Sequence, residues 1–176
     1  MCHVRVYVPS TLPDLSGRVR LDATGRPDPG AAVADAGSVG FAVTAGLREW
    51  YRDGDLEELE YVALTRAARG SLRLIASSGL LGAQRRVVLA VDVSDADVVA
   101  APHIDLAAVR VGAVVLVEAV AAVHVDDPAA SADVEAAARL VDAAEAGDDD
   151  ARFVLEGLDD HELQWYATQE LGALVV

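Results

Sequence analysis

Histidines and carboxylates set close together are the side chains that exchange protons or hold metal ions. This chain offers two such groups, His124-Val125-Asp126-Asp127 and His161-Glu162, the second followed by Trp165. His161-Glu162 opens like a zinc-protease helix, but Trp165 stands where the second histidine ligand would be, so no metal pair forms there. If the segment is helical, His161 shares a face with Trp165, and Glu162 with Tyr166. Such a face is either a binding spot or the polar edge of a buried helix. His124 and Asp126 end a strand-like run, the place where ligands bind in open α/β sheets. They are either an acid–base pair or metal holders, or part of an Asp-rich turn before Pro128. Asp92, Asp95 and Asp97 could join Asp126 around magnesium only if the fold brings them together. There is no Gly-x-Ser-x-Gly elbow and no phosphate-binding glycine loop, and Cys2 sits where a positioned thiol is hard to build. No catalytic residue, metal or cofactor is assigned, and the reading leans away from an enzyme.

Aromatic residues are the other candidates. The chain has 2 Trp, 4 Tyr and 2 Phe, and the dipeptides Trp50-Tyr51 and Trp165-Tyr166 hold both tryptophans. Large aromatics dominate the energetics of cores and interfaces. Successive helix positions differ in direction by about 100°. One ring of each pair is therefore expected to turn inward, with the other at a polar edge. In the second pair, Tyr166 should lie on the side of Leu163 and Leu171, and Trp165 beside His161. Arg48 and Trp50 complete the candidate binding residues.

These side chains need elements to hold them. His3 to Val8 alternates and reads as a strand stopped by Pro9, with Thr11 and Pro13 opening a short helix. Residues 17–38 carry Gly, Pro and Asp without periodicity and read as a mobile loop. Val39–Val43 is strand-like, and Thr44 caps a short helix through Tyr51. Asp55 with Glu58 makes a capping box for a helix to about Ala76, with Leu56, Leu59, Ala63, Ala67 and Leu74 on one side. Arg66, Arg69 and Arg73 share another face of it, either solvated or an anion-binding stripe. Ser77 to Gly79 with Gly82 reads as a turn. Arg86–Val93, nearly all apolar, reads as a central strand covered on both faces. Further strands are expected at Leu106–Val111 and Ala121–Val125, with Val114–Val120 ambiguous. Ser131 is expected to cap an Ala-rich helix ending near Gly147, and Asp148-Asp149-Asp150 to cap another. Asp159 with Glu162 then starts a last helix carrying Leu163, Tyr166, Ala167, Leu171 and Leu174 on its buried side.

A loose echo links Val4-Arg5-Val6 to Val109-Arg110-Val111, and Asp55–Ala63 to Asp159–Ala167. It admits an old duplication with halves 1–80 and 105–176. The fold expected is α/β, with α+β as the alternative. A single domain over 1–176 would hold a mixed sheet of about five strands with helices packed on it.

Composition narrows the partners. All 14 basic residues are Arg, and 29 acids give a net charge of −15. Such a charge disfavours nucleic-acid and anionic-membrane surfaces as partners. It suits solubility, attraction to a basic protein, or mimicry of nucleic acid. The most apolar stretch, Ala113–Val125, is too short to span a bilayer and contains Glu118. No leader is recognised ahead of the first strand, and one cysteine gives no sign of an oxidising compartment. A cytoplasmic protein is expected. The absence of Lys and Asn fits a high-GC genome.

Arg5–Leu12, Phe41–Tyr51, Glu58–Tyr61, Arg86–Asp92, Val123–Asp127 and Asp160–Leu171 together resemble an uncharacterised family of small acidic actinobacterial proteins, a domain of unknown function. The two Trp-Tyr segments are the most specific parts of that resemblance. It implies a high-GC, cytosolic origin and brings no activity, cofactor or site residue with it. The leading expectation is a non-catalytic protein-interaction or regulatory module with a protein partner. The alternative is a small-ligand protein or metal-dependent enzyme using His124, Asp126 and Asp127. An acidic nucleic-acid mimic is third.

Overall fold

Arg86–Ser94 forms the middle of the molecule, because valines alternate with alanine and leucine on both of its faces and almost all of them are buried. The computed structural model describes residues 2–79 and 84–176. In chain order the strands are β1 (His3–Thr11), β2 (Ala32–Ala34), β3 (Ser38–Phe41), β4 (Arg86–Ser94), β5 (Val98–Ala100), β6 (Ala108–Val111), β7 (Val115–Leu116), β8 (Val120–Asp126) and β9 (Leu163–Tyr166). The helices are α1 (Leu12–Arg18), α2 (Ala45–Trp50), α3 (Leu56–Ser78), α4 (Ser131–Ala138), α5 (Val141–Glu145), α6 (Asp149–Leu158) and α7 (Leu171–Leu174).

Seven strands pair in the order β5-β6-β3-β1-β4-β8-β9, and β2 pairs with β7 apart from them. The α-and-β class expected from the sequence holds. The sheet differs from a mixed one of about five strands, since every pairing is antiparallel. The extra strands β5 and β9 have 3 and 4 residues, too short to print a pattern, and are recruited by the exposed edges of β6 and β8. An antiparallel sheet also has no common carboxyl end, which removes the argument that placed a ligand there.

The two faces bury different layers. One carries Val6, Val8, Leu89, Val91, Val123 and Val125 under α1, the β2–β7 pair and Leu171 of α7. The other carries Tyr7, Phe41, Val88, Ala90 and Ala122 under α2 and the first half of α3. Alanines 63 and 67 on α3 let the helix sit close to that face, and Leu72 and Ile75 continue into a helical cluster with α4, α5 and α6. Ser71 fastens α3 to the sheet: its hydroxyl donates to the Ser10 carbonyl (2.7 Å) and accepts from the Val87 N–H (2.9 Å).

Local signals set the helix starts. Thr11, Thr44 and Asp148 cap α1, α2 and α6 through their side chains, and Asp55 with Glu58 forms the capping box of α3. Leu56 and Leu74, expected on the buried side of α3, are exposed, and Ser71, Leu72 and Ile75 are buried in that helix. Gly79 ends it in the left-handed conformation, and Gly82 lies outside the described residues. The ambiguous run resolves into β7, a single 3-10 turn at Val117–Ala119, and β8. The Ala-rich helix is broken between Ala138 and Val141, and Ser131 is its first residue rather than its cap, donating back to the Pro128 carbonyl. Residues 17–38 include β2 and a bridge between Leu21 and Pro27. The echoed segments differ in form, Asp55–Ala63 opening a helix and Asp159–Ala167 making a turn and a strand. Among the described residues no helix is long and apolar enough to cross a membrane.

Candidate functional site: an aromatic-walled cleft between α3 and β9

The segment expected to be the last helix is strand β9, and this correction builds the site. Leu163-Gln164-Trp165-Tyr166 pairs with Val123–Asp126 of β8, placing Trp165 opposite His124. Alternation along a strand sends Leu163 and Trp165 to the α3 face and Gln164 and Tyr166 to the other. Tyr166 accordingly packs on the far core and Leu163 on the α3 side, so the two do not share a side as expected. Asp159 and Glu162 do not open a helix: Asp159 closes the C-terminus of α6, and its side chain pairs with Arg69 of α3. The reason is tertiary: aromatic residues favour strands, and the edge of β8 offers backbone partners that an isolated turn of helix lacks.

His124, His161, Glu162 and Trp165 nonetheless converge. They line one cleft of about 240 Å³, with Tyr61, Leu64, Thr65 and Ala68 of α3 as the facing wall. Trp165 is 63 % exposed and Tyr61 is 55 % exposed, so both rings are open to a ligand. Tyr61 also borders a second depression beside Tyr51 and Glu57, and so stands as a ridge between the two Trp-Tyr regions. Sequence reading missed the α3 wall, although Tyr61, Leu64, Thr65 and Ala68 stand at i, i+3, i+4 and i+7 and mark one helical stripe.

The loop that carries His161 is tied from three sides. Its carbonyl accepts from Arg86 Nη2 (3.0 Å), its Nε2 meets Asp133 Oδ2 on α4 (2.9 Å), and neighbouring Asp159 holds Arg69. Behind it lies a buried ion pair. Arg86 gives Asp126 three bonds, from its backbone N–H (2.8 Å), Nε (2.9 Å) and Nη2 (2.7 Å). The two side chains are only 2 % and 0 % exposed. Asp126 is therefore a structural counter-ion for Arg86 and holds no open ligand position. Asp127 accepts from the Ala129 N–H, capping a turn, and from the Gln164 amide. Asp92 pairs with Arg5 at the other end of β4. Six residues of strand, about 20 Å, separate it from Arg86, so it cannot share a metal ion with Asp126.

Arg48 and Trp50 lie on α2, both exposed and outside the cleft. The arginine stripe is also accounted for: Arg66, Arg69 and Arg73 meet Asp105, Asp159 and Glu145 from other elements.

The electrostatics point to one kind of ligand. Burial pushes the His124 imidazole below the usual histidine range, and the nearby Arg5 charge pushes it the same way. His124 is thus neutral at pH 7, with its ring meeting the Tyr7 ring edge-on at 6.4 Å. The Arg86 charge is consumed by Asp126, whereas Glu162 makes no ion pair among the described residues. Two exposed rings, a neutral imidazole and the unpaired Glu162 carboxylate leave the cleft with a net negative charge, which favours a cation over an anion. Among the described residues no group of three His, Cys, Asp or Glu side chains is placed to hold a metal ion.

Fold and site together define an α-and-β protein with an antiparallel sheet and an aromatic-walled cleft along one edge. The chain belongs to a family of unknown function, DUF6912, whose pattern it matches over residues 4–175. No curated protein and no solved structure matches it significantly.

Proposed function

We propose that this protein is a non-catalytic recognition module, working in the cytoplasm, that holds a protein partner at the cleft between α3 and β9. The observation that carries the reading is the pairing of two exposed rings, Trp165 and Tyr61, across one cleft whose floor is fixed by buried structure. Exposed Trp and Tyr beside a small pocket are typical interface anchors, and each such residue commonly contributes a large share of binding energy. The acidic surface supports a basic partner. The test is affinity capture from native lysate with wild type, Trp165→Ala and Trp50→Ala. A protein captured by wild type and Trp50→Ala but lost with Trp165→Ala supports the reading. No reproducible capture, or capture indifferent to Trp165, removes it.

A small-ligand reading has one observation in its favour, the meeting of His124, His161 and Glu162 in that cleft. It is the weaker of the two. His161 already engages Asp133, Asp126 is sealed in its ion pair, and the Thr65 hydroxyl on the α3 wall donates to the Tyr61 carbonyl rather than to a base.

A further inference from the structure

We propose that the partner binds as an extended basic segment that adds to the free edge of β9 and sets an Arg or Lys side chain in the Trp165–Tyr61 cleft. The inference rests on the recognition reading and names its mode and chemistry. β9 is the last strand of the sheet and, among the described residues, pairs with β8 alone. Among the described residues no other element bonds to the backbone of Leu163–Tyr166. Its outward N–H and C=O groups are therefore available to a further strand, about 4.8 Å away. This is the geometry of β-strand addition, in which backbone bonds give affinity and alternate side chains give specificity.

The pleat decides which side chains reach the cleft. On an added strand, every second residue projects to the face that already carries Leu163 and Trp165. A side chain there enters between Trp165, Tyr61 and Glu162, the lining that also includes neutral His124. A guanidinium or ammonium group gains cation–π contact with the indole and an ion pair with Glu162. Among the described residues no unpaired arginine or lysine in the lining competes, since Arg86 is held by Asp126.

Charge also selects against a second copy of this chain. The edge is flanked by exposed Asp160 and Glu162, with Asp127 bonded to Gln164 within it. Sheet-to-sheet pairing of two copies would set these acids against one another, each molecule carrying −15. Short, charged edges are how proteins prevent self-pairing. The same acids attract a basic strand.

The test uses the whole protein with Trp50→Phe, so that Trp165 is its only indole. The probe is an acetylated, amidated heptapeptide of alternating Thr and Arg. Its control is the same peptide with alternate backbone nitrogens methylated, which keeps the charge and removes edge bonding. The expected result is saturable binding that changes Trp165 emission and slows amide exchange at Leu163–Tyr166 about tenfold or more. Glu162→Gln is expected to weaken binding about tenfold, and the methylated peptide to bind at least about tenfold more weakly. Equal binding of the methylated peptide, exchange protection away from β9, or no binding would overturn the proposal. So would dimerisation through β9 without peptide. These outcomes leave the recognition reading standing if lysate capture still depends on Trp165, so the two failures are distinguishable.

Discussion

At the scale of single residues, Asp126 shows how one side chain can satisfy the sequence pattern of a site and serve a different purpose. It was placed among candidate binding residues by its nearness to His124, yet it is buried against Arg86. Taking two charges out of water is costly, and the pair is tolerable because Asp126 accepts three bonds and Arg86 adds a fourth to the His161 carbonyl. Removing one partner strands a buried charge. Asp126→Ala is expected to cost about 3–5 kcal/mol, and the double change Arg86→Met with Asp126→Leu much less. Urea denaturation of the three proteins checks this, and a single variant as stable as wild type would show the pair to be dispensable. His124 gives a pH signature. Its folded pKa lies below the unfolded value, so the unfolded chain binds the proton more readily. Its contribution to stability is full above the unfolded value of about 6.5 and is lost as pH falls through the folded value. NMR titration should place the His124 transition below that of a free histidine. His124→Phe should flatten this part of the pH–stability curve; an unchanged curve would contradict the assignment.

At the scale of elements, what the sequence revealed depends on how locally each element is determined. The capping box at Asp55 and Glu58, the caps at Thr44 and Asp148, and the apolar run of β4 are written within a few residues and are found as expected. β9 is different. Its four residues are a strand because β8 presents an edge, and no local signal states that. The side of the cleft opposite α3 was therefore legible in part: His124, His161, Glu162 and Trp165 stand out in the sequence, with Trp165 and His161 side by side for the wrong reason, a helix turn. The α3 wall was passed over because Tyr61 stands alone among ordinary helix residues. The packing of α7 against the turn at residues 21–27 was likewise invisible. A Cβ on Gly172 would lie 2.3 Å from the Gly25 carbonyl oxygen, a backbone atom that cannot rotate away. Gly172→Ala is thus expected to destabilise by about 1–3 kcal/mol through overpacking. Thermal or urea unfolding measures the loss, and faster amide exchange in residues 21–27 should accompany it. A neutral substitution would mean that this turn and α7 do not pack in this way.

At the scale of the whole molecule, salt should have opposite effects on the fold and on its partner. The arginines are largely spoken for, with Arg5, Arg18, Arg69, Arg73 and Arg86 each against a carboxylate, so the acids that remain repel one another across the surface. Pairs in contact lie well inside the screening length, whereas the repulsion acts over longer distances. Raising ionic strength from about 0.01 to about 0.1 M shortens the screening length from about 30 to about 10 Å, which weakens the repulsion more than the contacts. Exposed ion pairs contribute little in any case. The midpoint of thermal unfolding is therefore expected to rise over this range. Binding of the arginine peptide draws on the same field with the opposite sign, so its affinity is expected to fall over the same range. Measuring both on one protein separates the two consequences of the −15 charge. A melting temperature that fell with salt would mean that surface ion pairs outweigh the excess of acids. An affinity indifferent to salt would mean that Trp165 and the β9 edge, rather than the acidic surface, govern recognition.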